Sequence, residues 1–177
     1  MRIISGKYKS RRIQVPANLK ARPTTDIARE GLFNILNNMV DWEETAALDL
    51  FSGTGSVAME MISRGCPYVV SVEKSPLHFE FICKAQDVLE AKELFPVKAD
   101  AFSYLKSTNQ KFDLIFADPP YDLPELNKLP ALVFEKELLK PDGIFILEHP
   151  RDYDFSALPH FLKNRRYGSV HFSFFAN

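Results

Sequence analysis

The stretch AALDLFSGTGSVAMEMI, Ala46–Ile62, decides the fold. It joins a short apolar run to a turn that contains Gly53 and Gly55, and then to a helical pattern. The two glycines allow a tight turn and let a ligand approach the backbone closely. The turn alone leaves the ligand open, because Gly53 to Ala58 also satisfies the G-x-G-x-x-A dinucleotide fingerprint. The stretch therefore predicts a strand, a ligand-binding turn and a helix.

Four more apolar runs follow, separated by helix-like segments; the runs are YVVSV, FPVKA, FDLIFA and GIFILE. Residues 76–94 and 124–140 have the length and pattern of crossover helices. Strands that are apolar on both faces and alternate with helices indicate a mostly parallel sheet covered on both sides. Residues 165–177 alternate around a glycine and predict a closing hairpin with an antiparallel strand. We predict a doubly wound α/β domain.

The basic residues are concentrated at the N-terminus. Seven of the 22 Lys and Arg residues, and none of the 23 acidic residues, lie in residues 1–25. Two short runs around Gly6–Ser10 predict a β-hairpin with a basic tip. We divide the chain into an N-terminal arm, residues 1–22, and a domain of residues 23–177. A basic arm on an acidic body favours nucleic acid as a partner, and the alternative is a solvated hairpin.

A helix is predicted to lead into the domain. Thr24 or Thr25 can cap its N-terminus, with Asp26 in the first turn. One face of this helix is predicted to be apolar, and its members are Ile27, Gly31, Leu32, Ile35, Leu36 and Met39.

Several classes of protein are disfavoured. Cys66 and Cys83 have no zinc-ligand or CxxC spacing, so we interpret both as buried small residues and expect no metal. The charged N-terminus is unlike a signal peptide, and no apolar run approaches the roughly 20 residues of a membrane span. We therefore expect a cytoplasmic protein with no membrane partner. His149 is interpreted as a hydrogen-bonded structural histidine.

The polar residues that follow the apolar runs are the candidate site, because ligands of such sheets bind beyond the carboxyl ends of the strands. Asp49 lies at the end of the first run and Glu73 at the end of the second. A carboxylate at Glu73 suits the ribose of NAD or of an adenosyl cofactor, and the alternative is a surface acid at a helix start. Asp100 and Ala101 can bind an adenine edge, or Asp100 can simply cap the next helix.

The fourth run ends in Asp118-Pro119-Pro120-Tyr121, which separates the two cofactor hypotheses. Hydride transfer has no use for this tetrapeptide. The Asp118 carboxylate and the Pro119 carbonyl are acceptors that can make a ring-conjugated amine nucleophilic, and the prolines restrict the backbone that holds them. Tyr121 can stack on a base.

These motifs resemble a known family. DLFSGTG, Glu73, Asp100-Ala101 and DPPY are similar to S-adenosylmethionine-dependent methyltransferases of exocyclic amines. RIISGKYKSRRIQVP, RPTTDIAREGLFNIL, SRG and RYG resemble the bacterial RsmD-type family, which methylates a guanine N2 of 16S ribosomal RNA. The resemblance runs from Arg2 to Phe175. Two departures are Ser10, where the family often has Gly, and Cys66, where it often has Ala.

The resemblance implies a Rossmann-like class I methyltransferase fold and a role for each motif. Asp49 and the turn residues Phe51, Ser52, Gly53 and Gly55 would bind the methionine part of S-adenosylmethionine. Glu73 would bind the ribose, and Asp100 with Ala101 the adenine. Asp118, Pro119, Pro120 and Tyr121 would be catalytic toward a flipped guanine. Phosphate contacts would come from Lys7, Lys9, Arg11, Arg12, Lys20 and Arg22.

The resemblance also implies the partner, which is 16S ribosomal RNA in an assembling or assembled small subunit, bound by a monomer without a metal. Rival hypotheses are an adenine-N6 DNA methyltransferase and a protein-glutamine methyltransferase, although the latter typically has Asn in place of Asp118. A nucleic-acid-binding module with an inert fold is a third. An NAD dehydrogenase would rest on the glycine turn alone.

Overall fold

The computed structural model describes residues 1–19 and 25–177 and contains a seven-stranded sheet between two layers of helices. The strands are β1 (Ala46–Leu50), β2 (Tyr68–Glu73), β3 (Leu94–Lys98), β4 (Phe112–Ala117), β5 (Leu139–His149), β6 (Phe161–Tyr167) and β7 (Val170–Ala176). Their order is β3-β2-β1-β4-β5-β7-β6. The first five are parallel, whereas β7 is antiparallel to both β5 and β6. The predicted Rossmann-like sheet with a closing antiparallel hairpin is confirmed.

The helices are α1 (Asp26–Leu36), α2 (Ser56–Ser63), α3 (Pro76–Leu89), α4 (Ala101–Ser107) and α5 (Leu129–Glu135). The predicted crossover at 76–94 is largely α3, which ends where Glu90 adopts a left-handed conformation with φ of 52°. The predicted crossover at 124–140 is shorter than expected. It contains a 3-10 turn at Leu126–Lys128 and the seven-residue α5, because β5 already begins at Leu139. None of the helices in the described ranges has the length and apolar composition needed to cross a membrane.

Two apolar clusters cover the two faces of the sheet, as expected for strands that are buried on both sides. One cluster joins the sheet to the N-terminal arm, α1, α2 and α3. The other joins it to α4 and α5. Cys66 is buried, but Cys83 is partly exposed, so the prediction of two buried cysteines is wrong for Cys83.

Helix α1 begins as predicted but buries a different stripe. The Thr25 hydroxyl accepts a hydrogen bond from the Ala28 N–H at 3.2 Å. The core-facing residues are Ala28, Arg29, Leu32, Phe33 and Leu36. Ile27, which we predicted to be on the buried face, is 76% exposed, and Met39 lies beyond the end of the helix. The sequence has two overlapping apolar stripes, and packing against the sheet selects one of them.

The N-terminal arm reverses direction as the predicted hairpin does, but residues 1–19 contain no regular strand. One isolated antiparallel bridge joins Arg2 to Arg12, and beside it the Ile3 N–H donates to the Arg11 carbonyl at 3.1 Å. Nearer the tip, the backbone donors bind α2. The Glu60 carboxylate accepts from the N–H groups of Ile4 and Ser5 at 2.7 and 3.0 Å. The arm is therefore a short hairpin docked on the domain, and Ile3, 1% exposed, belongs to the core.

We expect Gly31→Ala to destabilise the protein by about 1–3 kcal/mol through overpacking. A Cβ on Gly31 would lie 2.2 Å from the Cε1 atom of the Tyr167 ring. Thermal unfolding measures the effect. In a Tyr167→Ala background the same change should be neutral or stabilising, because alanine is the better helix former. An equal loss of stability in both backgrounds would contradict the contact.

Candidate active site

One cavity of about 840 Å³ opens at the carboxyl ends of the parallel strands. Every residue that we predicted as catalytic or cofactor-binding lines it, except Gly55. The sheet register explains this convergence. Leu50 pairs with Val72 and Ala117, and Ala117 pairs with Leu147. The residues that come next on these strands therefore lie at one level, on neighbouring strands about 4.8 Å apart.

Asp49 lies at the base of the cavity and is 1% exposed. One of its carboxylate oxygens accepts a hydrogen bond from the Ala58 N–H at 3.1 Å, in the first turn of α2. Burial raises the pKa of Asp49 to about 7, and the nearby charge of Glu73 adds to the effect. A positively charged group beside Asp49 would therefore stabilise the ionised form of this buried carboxylate.

The turn between β1 and α2 contains three left-handed residues. Phe51, Gly53 and Gly55 have φ values of 58°, 54° and 73°. Gly55 lies behind the cavity lining, where its N–H donates to the Ser52 carbonyl at 2.7 Å. A Cβ on Gly55 would approach Ile82 Cγ1 at 3.1 Å. The glycines were predicted from the sequence, but the strained backbone of Phe51 gave no signal there.

Glu73 connects two turns at the edge of the cavity. Its Oε2 atom accepts from the Gly53 N–H at 2.8 Å, and its Oε1 atom accepts from the Ser75 N–H at 2.7 Å. These two donors fix the orientation of the carboxylate. A carboxylate has about four acceptor positions, so each oxygen retains capacity for a ligand hydroxyl.

Asp100 has the capping role that the sequence allowed and also lies at the cavity. It caps α4, because its Oδ1 atom accepts from the Ser103 N–H at 3.1 Å, and it also lines the cavity. Although burial opposes the change, the Ser103 N–H and the Lys74 ammonium at 3.6 Å hold the pKa of Asp100 below its ordinary value. Ala101 is the first residue of α4, so its N–H has no partner within the helix.

The Asp118-Pro119-Pro120-Tyr121 segment leaves β4 directly into the cavity. The Asp118 N–H donates to the Leu50 carbonyl at 3.4 Å, which continues the pairing of β4 with β1. The Tyr121 hydroxyl donates to the Glu148 Oε1 atom at 3.2 Å, and Glu148 is fully buried in β5. The sequence analysis missed Glu148, because an acid near the end of an apolar strand resembles a surface residue.

The cavity has a second wall that the sequence analysis did not predict. Asp26 and Arg29 of α1 line it. Arg29 is 3% exposed, and its Nη2 group donates to the Arg2 carbonyl at 2.5 Å and to Asp26 Oδ1 at 2.9 Å. Burial lowers the pKa of Arg29. The only available signal was an arginine among the apolar residues of α1.

His149 is structural, as predicted. It is fully buried, with Nδ1 2.9 Å from the Pro150 carbonyl and Nε2 2.8 Å from the Ser173 hydroxyl. Burial lowers its pKa. Within residues 1–19 and 25–177, no group of three or more His, Cys, Asp or Glu residues has a metal-binding arrangement.

Four of the predicted RNA-binding residues, Lys7, Lys9, Arg11 and Arg12, lie in the described part of the arm, and none of these four lines the cavity. The tip of the arm docks at Ser63, where α2 ends, and α2 begins at the cavity roughly 12 Å away. Lys7 forms an ion pair with Glu93, which lies just before β3. Strand β3 is one edge of the sheet, and β6 is the other. Lys9, Arg11 and Arg12 are exposed. Lys20 and Arg22 lie outside the described residues.

The sequence and the fold match known proteins. The family model described as conserved hypothetical protein 95 matches residues 1–176. The Bacillus subtilis (strain 168) protein YlbH is 33% identical over 161 residues, which cover 87% of this chain and 85% of that protein. Ribosomal RNA small subunit methyltransferase D of Escherichia coli (strain K12) is 27% identical, over 90% of this chain and 79% of its own length.

The solved structures agree. The Escherichia coli protein yhhF superposes with a TM-score of 0.87 at 25% identity, covering 100% of this chain and 97% of its own. A more distant structure, with a TM-score of 0.68 and 16% identity, has S-adenosylhomocysteine bound and shows the same fold over 86% of this chain and 50% of its own. The chain therefore belongs to the RsmD-type family of S-adenosylmethionine-dependent methyltransferases.

Proposed function

We propose that this protein transfers a methyl group from S-adenosylmethionine to the exocyclic N2 amine of a guanine in 16S ribosomal RNA. The observation that carries the proposal is one cavity in which the Asp118-Pro119 acceptors face the same space as Asp49, Glu73 and Asp100. The first pair suits an amine substrate, and the three acids suit an adenosyl cofactor.

The polar residues of the cavity, most of them hydrogen-bond acceptors, suit the cofactor. S-adenosylmethionine supplies a methyl group on a positively charged sulfonium. Asp49, whose pKa is raised to about 7 by burial, would become ionised beside the ammonium of the methionine part. Glu73 would accept from the ribose hydroxyls with the oxygen capacity that its two backbone donors leave. Asp100 and the Ala101 N–H would bind the adenine edge.

The reaction itself depends on acceptors held at fixed positions. Asp118 and the Pro119 carbonyl would accept from the two N–H bonds of the guanine amine, which favours a pyramidal, nucleophilic nitrogen. Asp118 is the group that would take the proton lost on methylation. Tyr121 would stack on the extruded base, and its hydrogen bond to Glu148 would hold the ring in place.

The choice of substrate rests on the relatives and on the basic arm. Relatives named ribosomal RNA small subunit methyltransferase D are similar over most of this chain. We propose that residues 1–22 contribute phosphate contacts, with Arg11 and Arg12 exposed for that purpose. The guanine target, the small-subunit context, the monomeric state and the cytoplasmic location are part of the same proposal.

Methyl transfer to 16S ribosomal RNA tests the function directly. Asp118→Ala should lower kcat by about 10² to 10³, because an acceptor that acts on the reacting amine is lost. The dissociation constant for S-adenosylhomocysteine should stay within about threefold, since Asp118 is not assigned to the cofactor. Asp122→Ala, a neighbouring exposed acid, is the matched control and should retain activity.

Two results would overturn the proposal. Undiminished transfer by Asp118→Ala would remove the mechanism. Label in DNA or in a protein, with none in 16S ribosomal RNA or small subunits, would remove the substrate.

Cofactor binding should tighten as the pH rises. The unbound protein holds a proton on Asp49 below pH 7, and a bound cation displaces it. The affinity for S-adenosylhomocysteine should therefore increase by about tenfold between pH 5.5 and 7. Isothermal calorimetry measures it, and Asp49→Asn should bind more weakly with a flat pH profile. A profile that is equally steep in Asp49→Asn would assign the proton to another group.

The same residue has a predictable effect on stability. The folded pKa of Asp49 is raised above its ordinary value of 3.8, so the folded state binds the extra proton between these two pH values. Its contribution to stability is complete below pH 3.8 and is lost as the pH rises toward 7.

Tyr121→Phe should lower kcat/KM for RNA by about tenfold, because the ring loses a hydrogen bond to a buried acceptor. Glu148→Gln keeps an acceptor and should be the milder change. The double variant Tyr121→Phe, Glu148→Gln should lose less than the product of the single losses. Full additivity would indicate that the hydroxyl and the carboxylate act independently.

A further inference from the structure

A second cleft, distinct from the cofactor cavity, lies between α1 and β6, and we name it the α1–β6 groove. Its volume is about 560 Å³. The residues that carry the argument are Gly31, Asn34, Asn38, Lys163, Arg165 and Tyr167. No carboxylate is among the described residues that line it. The groove is therefore a cationic and amide-rich surface in a protein whose cofactor cavity is rich in acids.

The groove begins close to the cavity. Asp26 and Arg29 line the cavity, and Gly31, two residues further along α1, lines the groove. The strand side of the groove also begins near the carboxyl ends of the parallel strands. Tyr167 of β6 pairs with Val170 of β7, and the adjacent His171 pairs with His149 at the carboxyl end of β5. From Arg29 to its last residue, Leu36, α1 advances roughly 10 Å. The groove thus leads away from the cavity along the free edge of the sheet.

The two cations of the groove are not neutralised by acids. Lys163 Nζ lies 3.5 Å from Met39 Sδ and 5.1 Å from the centroid of the Phe174 ring. Arg165 Nη1 donates to the adjacent Asn164 carbonyl at 2.9 Å. Across residues 1–19 and 25–177, neither side chain forms an ion pair. Their charge is available to an external anion.

The helix wall adds uncharged contacts. Ile27, Gly31 and Asn34 follow one another at the spacing of a single face of α1, and Asn38, just beyond the end of the helix, donates from Nδ2 to the Asn34 carbonyl at 3.0 Å. Ile27, 76% exposed, lies about one turn before Gly31 on this face. Charged residues on an edge strand can serve merely to prevent strand pairing. Two amides on the α1 side, with Tyr167 beside the cations on β6, go beyond that requirement, and such a set is typical of nucleic-acid contacts.

We infer that the α1–β6 groove binds the RNA strand that flanks the target nucleotide, with Lys163 and Arg165 on its phosphates. The inference rests on the proposed function. A nucleotide extruded into the cavity requires the adjoining strand to leave along the protein surface. The tip of the arm, with Lys7 and Lys9, lies toward β3 at the opposite edge of the sheet, so the tip does not cover this exit.

Replacement of both cations with glutamine tests the inference while it keeps most of each side-chain stem. We expect Lys163→Gln with Arg165→Gln to weaken binding of 16S ribosomal RNA by at least about tenfold at low salt. The slope of log affinity against log salt should become shallower by about 1.4, which corresponds to two single-strand phosphate contacts. Filter binding at several KCl concentrations measures both quantities.

The matched control is Lys84→Gln with Lys136→Gln, which removes the same charge from exposed positions on α3 and after α5. The control should retain the wild-type affinity and slope. Both double variants should keep the wild-type melting temperature and affinity for S-adenosylhomocysteine.

The outcomes separate this inference from the proposed function. Equal effects of the two double variants would overturn the groove assignment, even if the wild type methylates 16S ribosomal RNA. A loss seen with protein-bearing small subunits but not with naked RNA would assign the groove to a ribosomal protein and overturn RNA as its occupant. A wild type that methylates no ribosomal RNA would overturn the proposed function, while a selective loss of RNA affinity would still support the groove.

Discussion

The hydrogen bond between the Ala58 N–H and the buried Asp49 carboxylate is the contact on which the rest of the site depends. It attaches the first turn of α2 to β1 and so closes the turn that contains Phe51. The other end of the same helix carries Glu60 and Ser63, which bind the backbone of the arm. One short helix therefore connects the cofactor cavity to the basic N-terminal segment, and both are positioned by its placement on the sheet.

The arrangement of charge in the cavity follows from the topology. Asp49, Glu73, Asp100 and Asp118 lie at the carboxyl ends of the parallel strands, whereas Asp26 lies on α1. The buried cation, Arg29, lies on α1 at the other wall. We propose that a ligand with both charges, as an amino-acid sulfonium cofactor has, would meet acceptors on the strand side and the guanidinium of Arg29, which also binds Asp26, on the other. Such complementarity would fix an orientation as well as an affinity.

The sheet and the acidic side of the site could be predicted from the sequence, because a strand-end rule depends only on where apolar runs stop. Asp49, Glu73, Asp100 and Asp118 all met that rule. The reversal of the arm around Gly6 could be predicted, but its docking could not, because the Ile4 and Ser5 N–H groups bind Glu60 of α2, far away in the sequence. The contact of Glu148 could not be predicted either, because its hydrogen-bond partner Tyr121 is 27 residues away in sequence. Such pairs appear only when tertiary packing is known.

The docking of the arm on α2 affects the order in which parts of the protein can fold. The Ile4 N–H donates to the carboxylate of Glu60, 56 positions later in the chain, and the Tyr8 N–H donates to the hydroxyl of Ser63, 55 positions later. These residues of the arm therefore depend on partners that are synthesised after them. Until α2 has been made, the same backbone N–H groups can be satisfied only by water or by local contacts. The arm can take up its docked conformation only once α2 has formed, which makes this docking a late step of folding although the arm comes before α2 in the sequence.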